Sequence, residues 1–429
     1  MYQVTNYING KECFESNESI SIINPSYGTN IGEVLYATKD TTNNAINAAA
    51  ETFITWSKTG LSYRAELILK LRQGIINKSE EIIDICITEA GKTRPDAEAE
   101  LDRAVQALTH IAGVQHFYPS IMSPNVAGGI DITDVRYPIG VVVGCGPFNF
   151  PILIPILHAS MAIVTGNTFI AKPSEKVPSI SRLYADIFKE SGFPDGCYNV
   201  LNGGKEIVEQ LVCHEKVAGL AFIGSTPVAK SLKILGVQNN TKIQALGGGK
   251  NHMIVLPDAD LDMAADAAVS ASFGAAGQRC MAVSVVVAVG DIADELVGKI
   301  KDRIPSLVMG KTDNPDTQLG PVISQENKDR IYSFIDLAEP DGATLVVDGR
   351  PLSDKEEGSF VGATLIDHVR PGMSVYENEI FGPVIMEPFS NIGTNSVVLC
   401  GARLRMGVLL AVGSVLIGDT EEWGVYKGN

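Results

Sequence analysis

The sequence predicts an α/β protein with two doubly wound parallel sheets, and three observations carry that prediction. Strand and helix signals alternate without a break from about 139 to 275. The strand segments, such as Val141-Val142-Val143, are continuous apolar runs, as strands buried on both faces are. The alternation then restarts after Cys280, which calls for a second sheet of the same class.

Taken in order, the chain opens with an alternating stretch around Asn9-Gly10, the pair that favours a type I′ turn, so 4–15 predicts a small antiparallel ribbon. Asp40 stands at the expected N-cap of a helix that puts Ala45, Ala49, Phe53 and Trp56 on one face. Helical periodicity continues over 62–77, 79–90 and 95–115, and turns to strand through Ile130, Ile132 and Val135. The first sheet then reads as strand 139–144, helix 152–165, strand 168–171, helix 178–191, strand 197–201, helix 205–213, strand 218–223 and helix 226–236. A second α/β domain opens near Leu246, with strand 252–256, helix 260–275, strand 283–289, helix 292–304 and strand 344–348. Residues 390–429 show neither clean periodicity nor a closing element.

Composition excludes several classes. A chain of 429 residues with 45% hydrophobic content has room for two to three domains and an ample core. Its seven cysteines lack CxxC spacing, which reads as a reduced, cytoplasmic chain with neither a disulfide framework nor a metal site. A formal charge of −16 argues against nucleic acid as a partner, and no apolar run reaches membrane-spanning length. The N-terminus shows no basic stretch followed by an apolar one, so no export signal is expected.

Several short segments carry chemistry. Gly274-Ala275-Ala276-Gly277-Gln278-Arg279-Cys280 is a run of small residues ending on a thiol beside a cation, the kind of neighbour that favours thiolate. Taken alone, Cys280 reads as a core cysteine rather than a catalytic one. Asn149, within Gly146-Pro147-Phe148-Asn149-Phe150-Pro151, follows a buried strand and suits either an oxyanion donor or a helix cap. Lys172 and Glu175 at the next strand end suit ribose hydroxyls or a solvated ion pair, and a carboxylate there disfavours a 2′-phosphate. Ile223-Gly224-Ser225-Thr226 joins a strand to a helix start and offers amides to a pyrophosphate, although the G-x-G-x-x-G fingerprint is absent. Leu246-Gly247-Gly248-Gly249-Lys250 reads as a flexible crossing. In Glu379-Ile380-Phe381-Gly382-Pro383-Val384, read as extended, Glu379 and Phe381 point the same way.

The order of these motifs over residues 1 to about 386 resembles the aldehyde dehydrogenase superfamily. Gln244-Ala245-Leu246-Gly247-Gly248, Lys250-Asn251-His252-Met253 and Gln278-Arg279-Cys280-Met281-Ala282 are most similar to its CoA-acylating methylmalonate-semialdehyde dehydrogenase branch. The resemblance implies Cys280 as nucleophile, with Asn149 and the Cys280 amide as oxyanion hole. It places Lys172 and Glu175 on the adenosine ribose of NAD, Gly224 and Ser225 by the pyrophosphate, and Phe148, Glu379 and Phe381 on the cofactor. It assigns Arg103 and Arg279 to a substrate carboxylate, since a buried guanidinium pair would call for an anion. Ala245 stands where most of the family carries the glutamate that activates water, which is consistent with CoA as acyl acceptor.

The implied domains are an NAD-binding domain of 1–118 and 140–245, an oligomerisation flap of 119–139 and a catalytic domain of 246–389. The expected reaction is NAD-dependent oxidation of malonate or methylmalonate semialdehyde to acetyl-CoA or propionyl-CoA. The rival readings are a hydrolytic aldehyde dehydrogenase and an inactive NAD-binding remnant. The family implies a homo-oligomer. Residues 390–429 depart from its pattern and read as a truncated or frameshifted tail, which predicts weaker assembly.

Overall fold

Asn9 and Gly10 both take positive φ, 48° and 76°, so the chain reverses in two residues as the type I′ preference requires. The strands it joins, Asn6–Ile8 and Lys11–Cys13, pair antiparallel. The computed structural model describes residues 1–353 and 357–388, together with five two-residue strands between 391 and 426. The expected tail, 390–429, lies almost entirely outside the described residues.

The chain divides into two compact units. The first comprises Met1–Asn24, Thr29–Ala90 and Arg94–Gly247; the second comprises Pro25–Gly28, Gly91–Thr93 and the chain from Gly248 onward.

In the first unit a seven-stranded sheet runs in the order Lys242–Leu246, Val217–Ile223, Val141–Cys145, Thr168–Lys172, Tyr198–Val200, Asn6–Ile8, Lys11–Cys13. Its first five strands are parallel and the terminal ribbon joins antiparallel. The sheet is therefore not purely parallel, because a two-residue turn can connect only antiparallel neighbours. Helices Lys39–Trp56, Lys205–Cys213 and Thr226–Gln238 bury Ala45, Ala49, Leu211 and Leu232 in one core with Val143 and Leu220. The helix Lys39–Trp56 is capped by Thr38, whose hydroxyl accepts from the Thr41 amide, and not by Asp40. Asp40 sits in the first turn, where a carboxylate meets the positive end of the helix dipole.

A separate three-stranded sheet of Tyr2–Val4, Thr29–Leu35 and Ser19–Asn24 closes over Val4, Ile22 and Val34. Ile121–Ala127 and Ile130–Asp134 form an antiparallel hairpin in which every residue is exposed.

In the second unit the sheet order is Asn251–Val255, Val283–Ala288, Val384–Pro388, Thr364–Val369, Thr344–Val347, with the last strand antiparallel. Helices Leu261–Phe273, Ala293–Arg303 and Gln325–Ala338 cover it, burying Ala265, Phe273, Leu296, Ile331 and Ile335 against Val285, Ile366 and Ile385. Periodicity did not anticipate Ser19–Asn24, Thr29–Leu35, Lys242–Leu246, Gln325–Ala338, Thr364–Val369 or Val384–Pro388. Among the described residues no helix is long and apolar enough to cross a membrane.

Candidate functional site

The small residues before Cys280 matter for the path they allow. Helix Leu261–Phe273 ends at Gly274, and then Ala275, Ala276 and Gly277 all take left-handed φ, 50°, 52° and 68°. Each alanine in that region costs roughly 1–2 kcal/mol. The turn is held by nearby bonds: the Gln278 amide donates to Ala275 O, and the buried Gln278 side chain accepts from the Ile323 amide at 3.0 Å. Ser272 Oγ donates to Val283 O at 2.5 Å.

Cys280 itself is exposed, at the head of a turn closed by the Ala282 amide donating to Arg279 O at 3.0 Å. Asn251 Nδ2 donates to both Cys280 O and Ala282 O, each at 2.9 Å. The Arg279 guanidinium lies over Gly274, where a Cβ would come within 2.6 Å of Nη1. Gly277 lies so close to Gly382 that a Cβ would meet its carbonyl oxygen at 2.2 Å.

That contact brings a second segment to the thiol's turn. Residues 378–383 are not a strand; the ladder starts at Val384, and Phe381 takes φ 55°. The alternation argument that paired Glu379 with Phe381 therefore fails, because it requires extended backbone. Both residues still border one recess, with Asn251, Gly277 and Arg279. The Glu379 carboxylate leans on Gly248, where a Cβ would fall 1.7 Å from Oε2. Arg330 donates to Glu379 O at 2.5 Å and Ile380 O at 2.8 Å, while Lys250 Nζ donates to Val375 O at 2.6 Å and Asn378 O at 2.7 Å. Burial pushes the Lys250 ammonium down to about 8, opposed by the charges of Glu379 and Glu377.

In the first unit, Phe148 and the buried Asn149 follow strand Val141–Cys145. Ile152 holds the N-cap position of Leu153–Val164, and the amides of Ile152 and Leu153 both donate to the buried carboxylate of Glu100 at 2.8 Å. Sequence reasoning missed Glu100 in this role, although a glutamate among Ala97, Leu101 and Ala104 on an apolar helix face was the available signal.

Lys172 ends its strand buried, with Nζ 3.6 Å from Glu175 Oε2. Gly224 donates to Leu246 O, and a Cβ there would meet the Phe222 ring at 2.5 Å. Ser225 is the N-cap residue of Thr226–Gln238 but makes no side-chain capping bond. Ala245 is buried in the edge strand, in register with Phe222.

Arg103 is exposed on helix Arg94–Ala112 and donates to Gln106 at 3.4 Å. Two carboxylates of the same helix are engaged elsewhere, Glu98 with Arg94 at 3.6 Å and Glu100 with the helix start.

Comparison with known proteins gives a consistent result. The aldehyde dehydrogenase family model matches residues 14–392. The malonate-semialdehyde dehydrogenase of Bacillus pumilus (strain SAFR-032) is 39% identical over 382 residues, 89% of this chain and 79% of that protein. Malonate-semialdehyde dehydrogenase 2 of Bacillus cereus (strain ZK / E33L) is 40% identical over 388 residues, with the same coverage of 89% and 79%. Among solved structures, methylmalonate-semialdehyde dehydrogenase from Oceanimonas doudoroffii superposes with a TM-score of 0.88 at 40% identity, over 92% of this chain and 81% of that one. A Sinorhizobium meliloti 1021 structure assigned to the same enzyme and complexed with NAD gives 0.87 at 38%, over 90% and 80%.

Proposed function

The chain belongs to the aldehyde dehydrogenase family, and on that premise we propose that it is an NAD-dependent, CoA-acylating dehydrogenase of malonate or methylmalonate semialdehyde. The products are acetyl-CoA or propionyl-CoA, formed with loss of carbon dioxide. On this reading 1–118 and 140–245 bind NAD, 119–139 is an oligomerisation flap, and 246–389 carries the chemistry.

The donor set of the first unit fits NAD. Lys172 offers a buried ammonium and Glu175 a carboxylate, 3.6 Å apart, a donor and an acceptor for two ribose hydroxyls. Gly224 and Ser225 precede helix Thr226–Gln238, whose start carries no side-chain cap from Ser225, and such a helix N-terminus suits a pyrophosphate. Phe148, Ser225, Glu379 and Phe381 complete the cofactor assignment. When bound, NAD supplies the hydride acceptor.

The protein's own part begins at Cys280. Its thiolate forms a C–S bond to the aldehyde carbon, and the carbonyl oxygen takes up the negative charge. Asn149 Nδ2 is assigned to donate to that oxygen, which lowers the barrier only if the donor is already in place. Arg279, on the recess beside Cys280, is assigned to the substrate carboxylate. Arg103 shares that assignment by motif position, from an exposed place on helix Arg94–Ala112. After oxidation the acyl group is a thioester on Cys280; its carboxylate leaves as carbon dioxide, the α-carbon takes up a proton in place of the broken C–C bond, and an acetyl or propionyl thioester remains. The CoA thiolate attacks its carbonyl carbon, the new C–S bond forms, and the Cys280 thiolate leaves.

The observation that carries the acylating reading is Ala245, a buried methyl where a water-activating carboxylate would be required for hydrolysis. NADH formation from malonate semialdehyde, followed with and without CoA, tests it. Sustained turnover is expected only with CoA, with acyl-CoA as product; equal turnover without CoA and a free acid as product would establish a hydrolytic enzyme instead.

A further inference from the structure

The nucleophile turn and the Glu379–Phe381 segment are far apart in sequence, and neither is held by a sheet ladder. Cys280 stands in a turn before strand Val283–Ala288, and Phe381 three residues before Val384–Pro388. Something else must set their backbones. Lys250 and Asn251 are adjacent, at the entry to strand Asn251–Val255, where successive side chains leave the chain in opposite directions. The Asn251 amide donates to Cys280 O and Ala282 O, at 2.9 Å each. The Lys250 ammonium donates to Val375 O and Asn378 O, at 2.6 and 2.7 Å.

We propose that Lys250 and Asn251 are a pair of positioning residues that tie the Cys280 turn and the Glu379 segment to one point of the chain. All four acceptors are main-chain carbonyls, so the pair constrains the path of the backbone and not the identity of any side chain. An –NH₂ group has two hydrogens, and Asn251 spends both on carbonyls either side of Met281. That pins the Cys280 peptide, leaving side-chain rotation as the freedom of the thiol. Lys250 acts on the other segment from one side while Arg330 takes Glu379 O and Ile380 O. Together with the Gly277–Gly382 contact and Arg330, two adjacent residues, neither of which enters the reaction, then constrain the distance between thiol and cofactor-side carboxylate.

The inference rests on the reading of Cys280 and Glu379 given above, and its test separates the two. Hydrogen exchange by mass spectrometry on the full chain reads the ties without turnover. Asn251→Ala should speed deuterium uptake in peptides covering 276–284 but not 374–382, and Lys250→Met should do the reverse. In kinetics, Asn251→Ala should lower kcat about tenfold with the calorimetric Kd for NAD unchanged. Lys250→Met should raise that Kd about fivefold, and Lys250→Arg, which keeps the donors, should restore it. Asn251→Asp, isosteric but without the donors, repeats the measurement if the alanine variant folds poorly. Uptake unchanged in both regions, or kcat and Kd within twofold of the parent in both variants, overturns the proposal. Cys280→Ala is expected to abolish NADH formation. If it does not, the nucleophile assignment falls, while the exchange data still decide whether the ties exist.

Discussion

Replacing Gly277 by alanine tests the geometry of the candidate site where it is tightest. Gly277 takes φ 68°, and an alanine in that region costs roughly 1–2 kcal/mol. Its Cβ would stand 2.2 Å from Gly382 O, 2.4 Å from Gly382 C and 2.8 Å from Pro383 N. These are backbone atoms and cannot swing aside, so the turn or the 382–383 segment must shift, at about 1–3 kcal/mol for overpacking of this kind. The sum is roughly 2–5 kcal/mol, a fall of about 4–20 °C in thermal midpoint for a unit of this size. Because the same contact sets the Cys280 turn beside the Glu379 segment, NADH formation should fall at least about tenfold, as misplacement of reacting groups costs. Gly249→Ala is the matched control: it borders the same recess as Gly277, yet a Cβ there meets nothing within 4 Å. Its stability should stay within about 0.5 kcal/mol of the parent. A Gly277→Ala protein that melts with the parent and turns over normally would refute the close contact.

Asn149→Ala should slow acylation on the order of a hundredfold in single-turnover kinetics. An unchanged rate would remove Asn149 from the oxyanion role. Glu175 should give at least a roughly tenfold preference for NAD over NADP in kcat/KM, and Glu175→Gln should narrow it; equal efficiency in the parent would contradict the ribose assignment. Burial holds the Glu89 carboxyl up at about 7 against an ordinary 4.5, with the Tyr2 hydroxyl donating to it at 2.5 Å and the Ser179 amide at 3.3 Å. The folded chain thus binds this proton more tightly than the unfolded chain, so the stability it contributes is complete below about 4.5 and lost as pH rises through 7. Glu89→Gln cannot ionise and should gain on the parent across that window by up to about 3 kcal/mol. Denaturant titrations at stepped pH read this directly, and parallel profiles would reject it.

What could be read from the sequence alone is what depends on neighbours in the chain. The hairpin at Asn9-Gly10 follows from the φ these residues tolerate, and the strand and helix alternation follows from apolar periods that each segment carries within itself. The ordered motifs around Asn149, Lys172, Gly224, Cys280 and Glu379 pointed to the family that the comparisons show. Local signals misled where two residues competed for one task, as Thr38 and Asp40 did for a helix cap; the one whose hydroxyl reaches the Thr41 amide holds it.

Tertiary structure decided the rest, because the deciding bonds join residues with no local relation. Strands Lys242–Leu246 and Val384–Pro388 exist because Val217–Ile223 and Thr364–Val369 present ladders to them. Glu100 answers a helix start 52 residues away, Asn251 a turn 29 residues away, and Lys250 a carbonyl 125 residues away. Phe381 keeps its left-handed backbone while Arg330 and Lys250 hold the segment before it, so a rule for extended chains could not place its ring. A buried donor or acceptor must find a partner wherever the fold brings one, and a linear pattern carries no record of which carbonyl that will be.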